Sequence, residues 1–298
     1  MLNKKLTQQS KDPTINSSSS PSTPSETGQA RRLYVVTGKG GVGKTVISMA
    51  LCLYLKSQGR KVYYNGFDQR PDEELLKNLG IEFLPFIVNE SAEIYVGNKL
   101  GSRTLGKWVM RAPFFKALFQ MMPGLASMIL LGHLIQSADD APDASIVIDS
   151  PSTGHARVLF ESTQNYEEMF GSGLIVDDIK RMQCFLSGSN HLRTIICALP
   201  SELPLEEGKE LLDYMKRSKY QDVGFILNDS LQEFIKAENI ALESIPQTLQ
   251  LKVESEMNLL RAFGVDIDLI LPKITDTDRE SLIHKLSSKM GLLAYGRN

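Results

Sequence analysis

Gly38-Lys39-Gly40-Gly41-Val42-Gly43-Lys44-Thr45 is the segment whose residue types and spacing point most directly to chemistry. It fits the pattern G-x-x-x-x-G-K-[ST]. Glycines let a backbone wrap closely around phosphate oxygens. The N–H groups of such a turn, with the N-terminus of a following helix, favour negative charge. The pattern therefore assigns Gly38, Gly40, Gly41, Val42, Gly43, Lys44 and Thr45 to a phosphate cradle. It places Lys44 on the outer phosphates and the Thr45 hydroxyl on Mg²⁺. A glycine-rich turn that only capped a helix would not need Lys-Thr at its end.

Two carboxylates stand where such a cradle could use them. Asp149 ends the apolar run Ile146-Val147-Ile148. A carboxylate there is costly unless it has a partner such as hydrated Mg²⁺, so Thr45 and Asp149 are the expected metal ligands. Asp68 follows the run Val62-Tyr63-Tyr64 by a few residues. It either orients the attacking water and accepts its proton, or caps the helix beginning near Glu73. His155 has no second histidine at ligand spacing and reads as a packed, hydrogen-bonded residue. Cys52, Cys184 and Cys197 are odd in number, far apart and without C-x-x-C, which argues against a disulfide framework and a cysteine zinc site.

These residues need a frame. Leu33–Val36 is a short apolar run of β-formers before the glycine-rich turn, and Lys44–Ser57 follows with Ile47, Leu51 and Leu55 on one helical face. Val62–Tyr64 completes a βαβ unit. Further strands are expected at Ile146–Ile148, Thr194–Ala198, Gly224–Leu227 and Leu269–Leu271, with helical stretches between them, notably Leu205–Lys216. The alternation predicts an α/β fold with a doubly wound, mostly parallel sheet. Residues 80–140 break the rhythm and read as an apolar helical insertion on that sheet.

Composition sets the bounds. Residues 13–28 are dominated by Ser, Pro and Thr, so residues 1–30 read as a disordered tail before a single domain over 31–298. Net charge is −2, which gives no reason to expect nucleic acid. The N-terminus lacks the apolar stretch of a signal peptide, and cytoplasmic localisation is the expectation. Residues 117–138 carry no Asp, Glu, Lys or Arg, but the cleaner apolar core runs only from Leu125 to Ile135, short of the ~20 residues of a membrane span. No stable membrane insertion is expected. Leu125–Ile135 is apolar all round, as a buried helix would be. The wider stretch holding Trp108, Met110, Phe114, Phe115, Phe119, Met121, Met122, Met128 and Leu131 is also of a kind that adapts to apolar partners.

Lys39 carries further information. The form Lys-Gly-Gly-Val-Gly-Lys-Thr resembles the deviant Walker A P-loop NTPases, which include the arsenite-pump ATPases, the tail-anchored-protein targeting ATPases and the Min and Par positioning ATPases. Asp149-Ser150-Pro151-Ser152-Thr153-Gly154-His155 resembles switch II of the arsenite-pump and tail-anchor-targeting branch. Leu199-Pro200-Ser201-Glu202-Leu203-Pro204 is similar to that branch's next loop, and Phe225-Ile226-Leu227-Asn228 to its strand ending in an adenine-binding Asn. The resemblance covers roughly residues 33–275. Switch I departs from it, reading Asp68-Gln69-Arg70-Pro71, and neither the seam C-x-x-C nor the metalloid cysteines are matched.

The resemblance implies a single-unit Mg²⁺-dependent ATPase, with ATP and Mg²⁺ as cofactors. It makes Lys39, Lys44, Asp68 and Asp149 catalytic and adds Val46, Asn228 and Pro272 to the nucleotide site. Lys39 would reach the nucleotide of the partner in a nucleotide-gated dimer, either a homodimer or a heterodimer with a paralogue. Asp149 and Thr153 would sense the γ-phosphate. A hydrophobic protein cargo is the implied client. The alternative is a Min/Par-like positioning switch acting on membrane or DNA, which a basic amphipathic C-terminal helix would favour; Asp278–Leu293 carries Arg279, His284, Lys285 and Lys289, but its apolar face is thin.

Overall fold

The computed structural model describes residues 31–295 except 68, 114–116, 118–120, 122–123, 154–155, 159, 162, 164–173, 189–190, 219 and 221. The tail over 1–30, Asp68, Gly154, His155, Phe114, Phe115, Phe119 and Met122 therefore lie outside the described residues. Chain order runs β1 (Leu33–Gly38), α1 (Lys44–Ser57), β2 (Lys61–Asn65), α2 (Glu73–Asn78), β3 (Glu82–Phe83), α3 (Val88–Lys99) and α4 (Arg103–Arg111). It continues through α5 (Leu125–Asp140), β4 (Ala144–Asp149), α6 (Leu174–Ser187), β5 (Leu192–Ala198), α7 (Glu202–Arg217), β6 (Val223–Ser230) and α8 (Leu231–Ala237). The last elements are α9 (Gln247–Phe263), β7 (Leu269–Pro272), α10 (Arg279–Ser287) and α11 (Gly291–Tyr295).

The described strands form one seven-stranded sheet in the order β3-β2-β4-β1-β5-β6-β7, with every pairing parallel. All residues of β1, β4 and β5 are buried, as strands covered on both faces must be. Alternation divides them between two cores. Leu33, Val35, Ile146, Ile148 and Ile196 pack with α5, α6 and α7, whereas Tyr34, Val36, Val147, Ile195 and Cys197 pack with α1, α2, α10 and α11. β1 lies between β4 and β5, where the winding reverses, and its carboxyl end opens into the crevice where open α/β sheets bind ligands.

Two expectations are refined here. Residues 80–140 are not wholly an addition on the sheet, because Glu82 and Phe83 form the edge strand β3, in register with Tyr63 and Tyr64. So short a pairing leaves too little hydrophobic pattern to see in a sequence. Asp278–Leu293 is not a free amphipathic helix. It breaks into α10 and α11, and Ile283, Leu286 and Leu293 are buried in the α1-side core.

Leu125–Ile135 belongs to the core. Nine residues of α5 are buried, among them Met128, Leu130, Leu131 and Leu134. Leu131→Ala is expected to cost about 2–5 kcal/mol, the lost transfer energy plus the cavity left behind. Urea denaturation checks it, and a loss under about 1 kcal/mol would contradict a core role for α5. Of the methionine- and phenylalanine-rich stretch, Trp108 (73 % exposed) and Met121 (79 %) face outward. No helix among the described residues is long and apolar enough to cross a membrane.

Candidate nucleotide site

The glycine-rich loop joins the end of β1 to the start of α1. Gly38 and Gly43 are required by contact as well as by conformation. A Cβ on Gly38, at φ 149°, would lie 2.1 Å from the Cys197 carbonyl oxygen, and one on Gly43, at φ 93°, 2.4 Å from the Asn228 amide. Gly40 and Gly41 instead border open space. Gly43 opens α1 without a side-chain cap, and the first turn carries no acidic residue. Its N–H groups are thus left for an anion.

Lys44 Nζ donates to the Lys39 carbonyl at 3.0 Å, so the ammonium spans the loop where phosphate oxygens would sit. Burial lowers its pKa, opposed by the Asp149 carboxylate. Val42 is buried, and its carbonyl accepts from Asn228 Nδ2 at 3.0 Å and Cys197 Sγ at 3.3 Å. Asn228 is therefore at the loop, as expected. Val46 packs on the α1-side core. Pro272, at the end of β7, pairs with Ser230 of β6, the strand that holds Asn228.

Thr45 Oγ1 donates to Asp149 Oδ2 at 2.6 Å. The same oxygen accepts from the Tyr64 hydroxyl at 2.9 Å. Asp149 is 8 % exposed, and burial raises its pKa against those two hydrogen bonds and Lys44. No group of three or more His, Cys, Asp or Glu among the described residues could hold a metal ion. One carboxylate beside one hydroxyl nevertheless fits Mg²⁺, which keeps several waters and takes few protein ligands beside substrate phosphates. It does not fit zinc, which needs a fuller set of N and S ligands.

Lys39 pairs with Glu207 Oε1 on α7, and Glu207 Oε2 accepts from Thr153 Oγ1 at 3.1 Å. One carboxylate thus joins the loop lysine to the segment after β4. Lys39, first of all, and then Thr153 hold the Glu207 carboxyl below the usual carboxylate range. The structure brings Lys39, Lys44, Thr45, Asp149 and Asn228 together at the carboxyl end of the sheet. Asp68 and His155 lie outside the described residues. Tyr64 and Glu207 were not among the sequence-derived site residues. A tyrosine in a buried strand must find a partner for its hydroxyl, which is the signal that could have marked Tyr64.

Residues 33–229 match the model of the CobQ/CobB/MinD/ParA nucleotide binding domain. The match spans the loop, Asp149, Glu207 and Asn228, and covers well over half of the chain. The chain belongs to this family. Its membership establishes a P-loop nucleotide-binding domain. Among relatives of the CobQ/CobB/MinD/ParA chain is ATPase BagA of Mycobacterium tuberculosis (strain H37Rv), 25 % identical over 209 residues, or 60 % of this chain and 61 % of the relative. The chain therefore spans under two thirds of that relative's length. "Putative arsenical pump-driving ATPase 2" of Aquifex aeolicus (strain VF5) is 24 % identical over 258 residues, covering 69 % of this chain and 84 % of that protein.

Proposed function

We propose that the chain is a Mg²⁺-dependent ATP hydrolase of the arsenite-pump type, working as a nucleotide-gated dimer. The observation that carries this reading is the convergence of Lys44, Thr45 and Asp149 at the loop, with Lys39 beside them. The relatives named as ATPases support it, and the longer match to the arsenical pump-driving protein supports the branch.

Chemistry would be phosphoryl transfer to water, in which positioning and charge neutralisation do most of the work. The loop N–H groups and Lys44 bind the phosphates. Thr45 and Asp149 would hold Mg²⁺, which when bound neutralises charge on the outer phosphates. Asp68 orients the water and takes its proton. Lys39 exchanges Glu207 for the partner's nucleotide, which releases one of the two groups now bound to Glu207 and leaves Thr153 to report the change. The exposed Trp108 and Met121 are the candidate contact for a hydrophobic cargo. The membrane- or DNA-positioning alternative is less well supported, because the apolar side of α10 and α11 is already packed on α1.

Steady-state phosphate release by the full chain tests the reading. Turnover of ATP with Mg²⁺ and its loss in EDTA is the expected result; no turnover at any protein concentration would contradict it.

A further inference from the structure

Asp149 receives two hydroxyls on one carboxylate oxygen. Thr45 Oγ1 and the Tyr64 hydroxyl both donate to Oδ2, while Oδ1 takes no hydrogen bond among the described residues. The two donors reach Asp149 from different elements. Thr45 stands in the first turn of α1, and Tyr64 comes from β2, which pairs with β4 in register Tyr64 with Val147 and Asn65 with Ile148. Tyr64 is 1 % exposed and packed in the α1-side core, which holds its ring in place. A phenylalanine or leucine would fill a buried strand position with apolar surface alone. What the tyrosine adds here is the hydrogen bond to Asp149.

We propose that Tyr64 is a positioning residue of the metal site, holding Oδ2 of Asp149 so that Oδ1 and the lone pairs of Thr45 Oγ1 face a divalent cation. The inference rests on the reading of Thr45 and Asp149 as Mg²⁺ ligands and names a residue that reading leaves out. Thr45 spends its one proton on Asp149 and keeps its lone pairs for the cation. Tyr64 donates to Oδ2, the oxygen that already accepts from Thr45, and so leaves Oδ1 for the metal. Groups that orient a metal ligand in this way commonly govern metal affinity about 10- to 100-fold.

The test is the Mg²⁺ dependence of binding of a fluorescent ADP analogue to the full chain, wild type against Tyr64→Phe, with Tyr64→Leu as a second variant of different packing. The expected result is a rise of about 10-fold or more in the Mg²⁺ concentration giving half-maximal tightening, shared by both variants, with ADP affinity in EDTA unchanged. A merely structural hydroxyl would lower the melting temperature and leave the Mg²⁺ midpoint where it was, which would overturn the proposal. If wild type itself shows no Mg²⁺ response, the assignment of Thr45 and Asp149 falls, and the role of Tyr64 with it.

Discussion

Lys44→Ala should abolish ATP turnover while leaving the fold intact. Among the described residues its ammonium makes one hydrogen bond, to the Lys39 carbonyl across the loop, and no ion pair. Removing it therefore costs the chain little. In the proposed hydrolysis the same group would face the oxygens on which charge builds. Loss of one such preorganised donor typically costs on the order of 10²–10³-fold in rate, about 3–4 kcal/mol. Lys44 is partly desolvated, which strengthens its interaction with phosphate and places the effect at the upper end. Phosphate release measured beside a melting curve checks both halves. Wild-type turnover in a folded variant would remove the ATPase assignment.

Lys39→Ala should leave nucleotide binding by the single chain largely intact and nearly eliminate hydrolysis. In the structure Lys39 pairs with Glu207 of its own chain, and both side chains are about one third exposed. A pair so open to water contributes only about 0.2–1 kcal/mol, so exchanging it for a partner's phosphate costs little. If Lys39 acts across the dimer, the Lys39→Ala and Asp68→Asn chains should complement each other. A mixed dimer holds one site with both defects and one with neither, provided the subunits exchange. Turnover of the mixture above either variant alone is the expected result. Mixtures as inactive as their components, with exchange verified by labelled chains, would show that Lys39 serves its own nucleotide or none.

Much of this site was legible because its chemistry is local. The glycine-rich loop lies in eight consecutive residues between a strand and a helix, and the helix found, Lys44–Ser57, is the one its spacing predicts. Six strands were visible as apolar runs because parallel strands are buried on both faces. β3 was not, since two residues carry no periodicity. The burial of α5 was foreseeable from its apolar circumference. Glu207 could be placed on a helix from sequence, but its bridge between Lys39 and Thr153 spans residues 168 and 54 apart. Tyr64 and Asp149 likewise meet only through the β2–β4 pairing, 85 residues apart. Long-range side-chain partners of this kind come from the sheet order, which one sequence does not specify.

A structure of the full chain with Mg²⁺ and a non-hydrolysable ATP analogue tests the central claim most directly. The account predicts two chains facing each other, phosphates over Gly38–Thr45, the cation between Thr45 and Asp149, and Lys39 withdrawn from Glu207 onto the partner's nucleotide. A single chain with nucleotide bound and Lys39 still paired to its own Glu207 would contradict it.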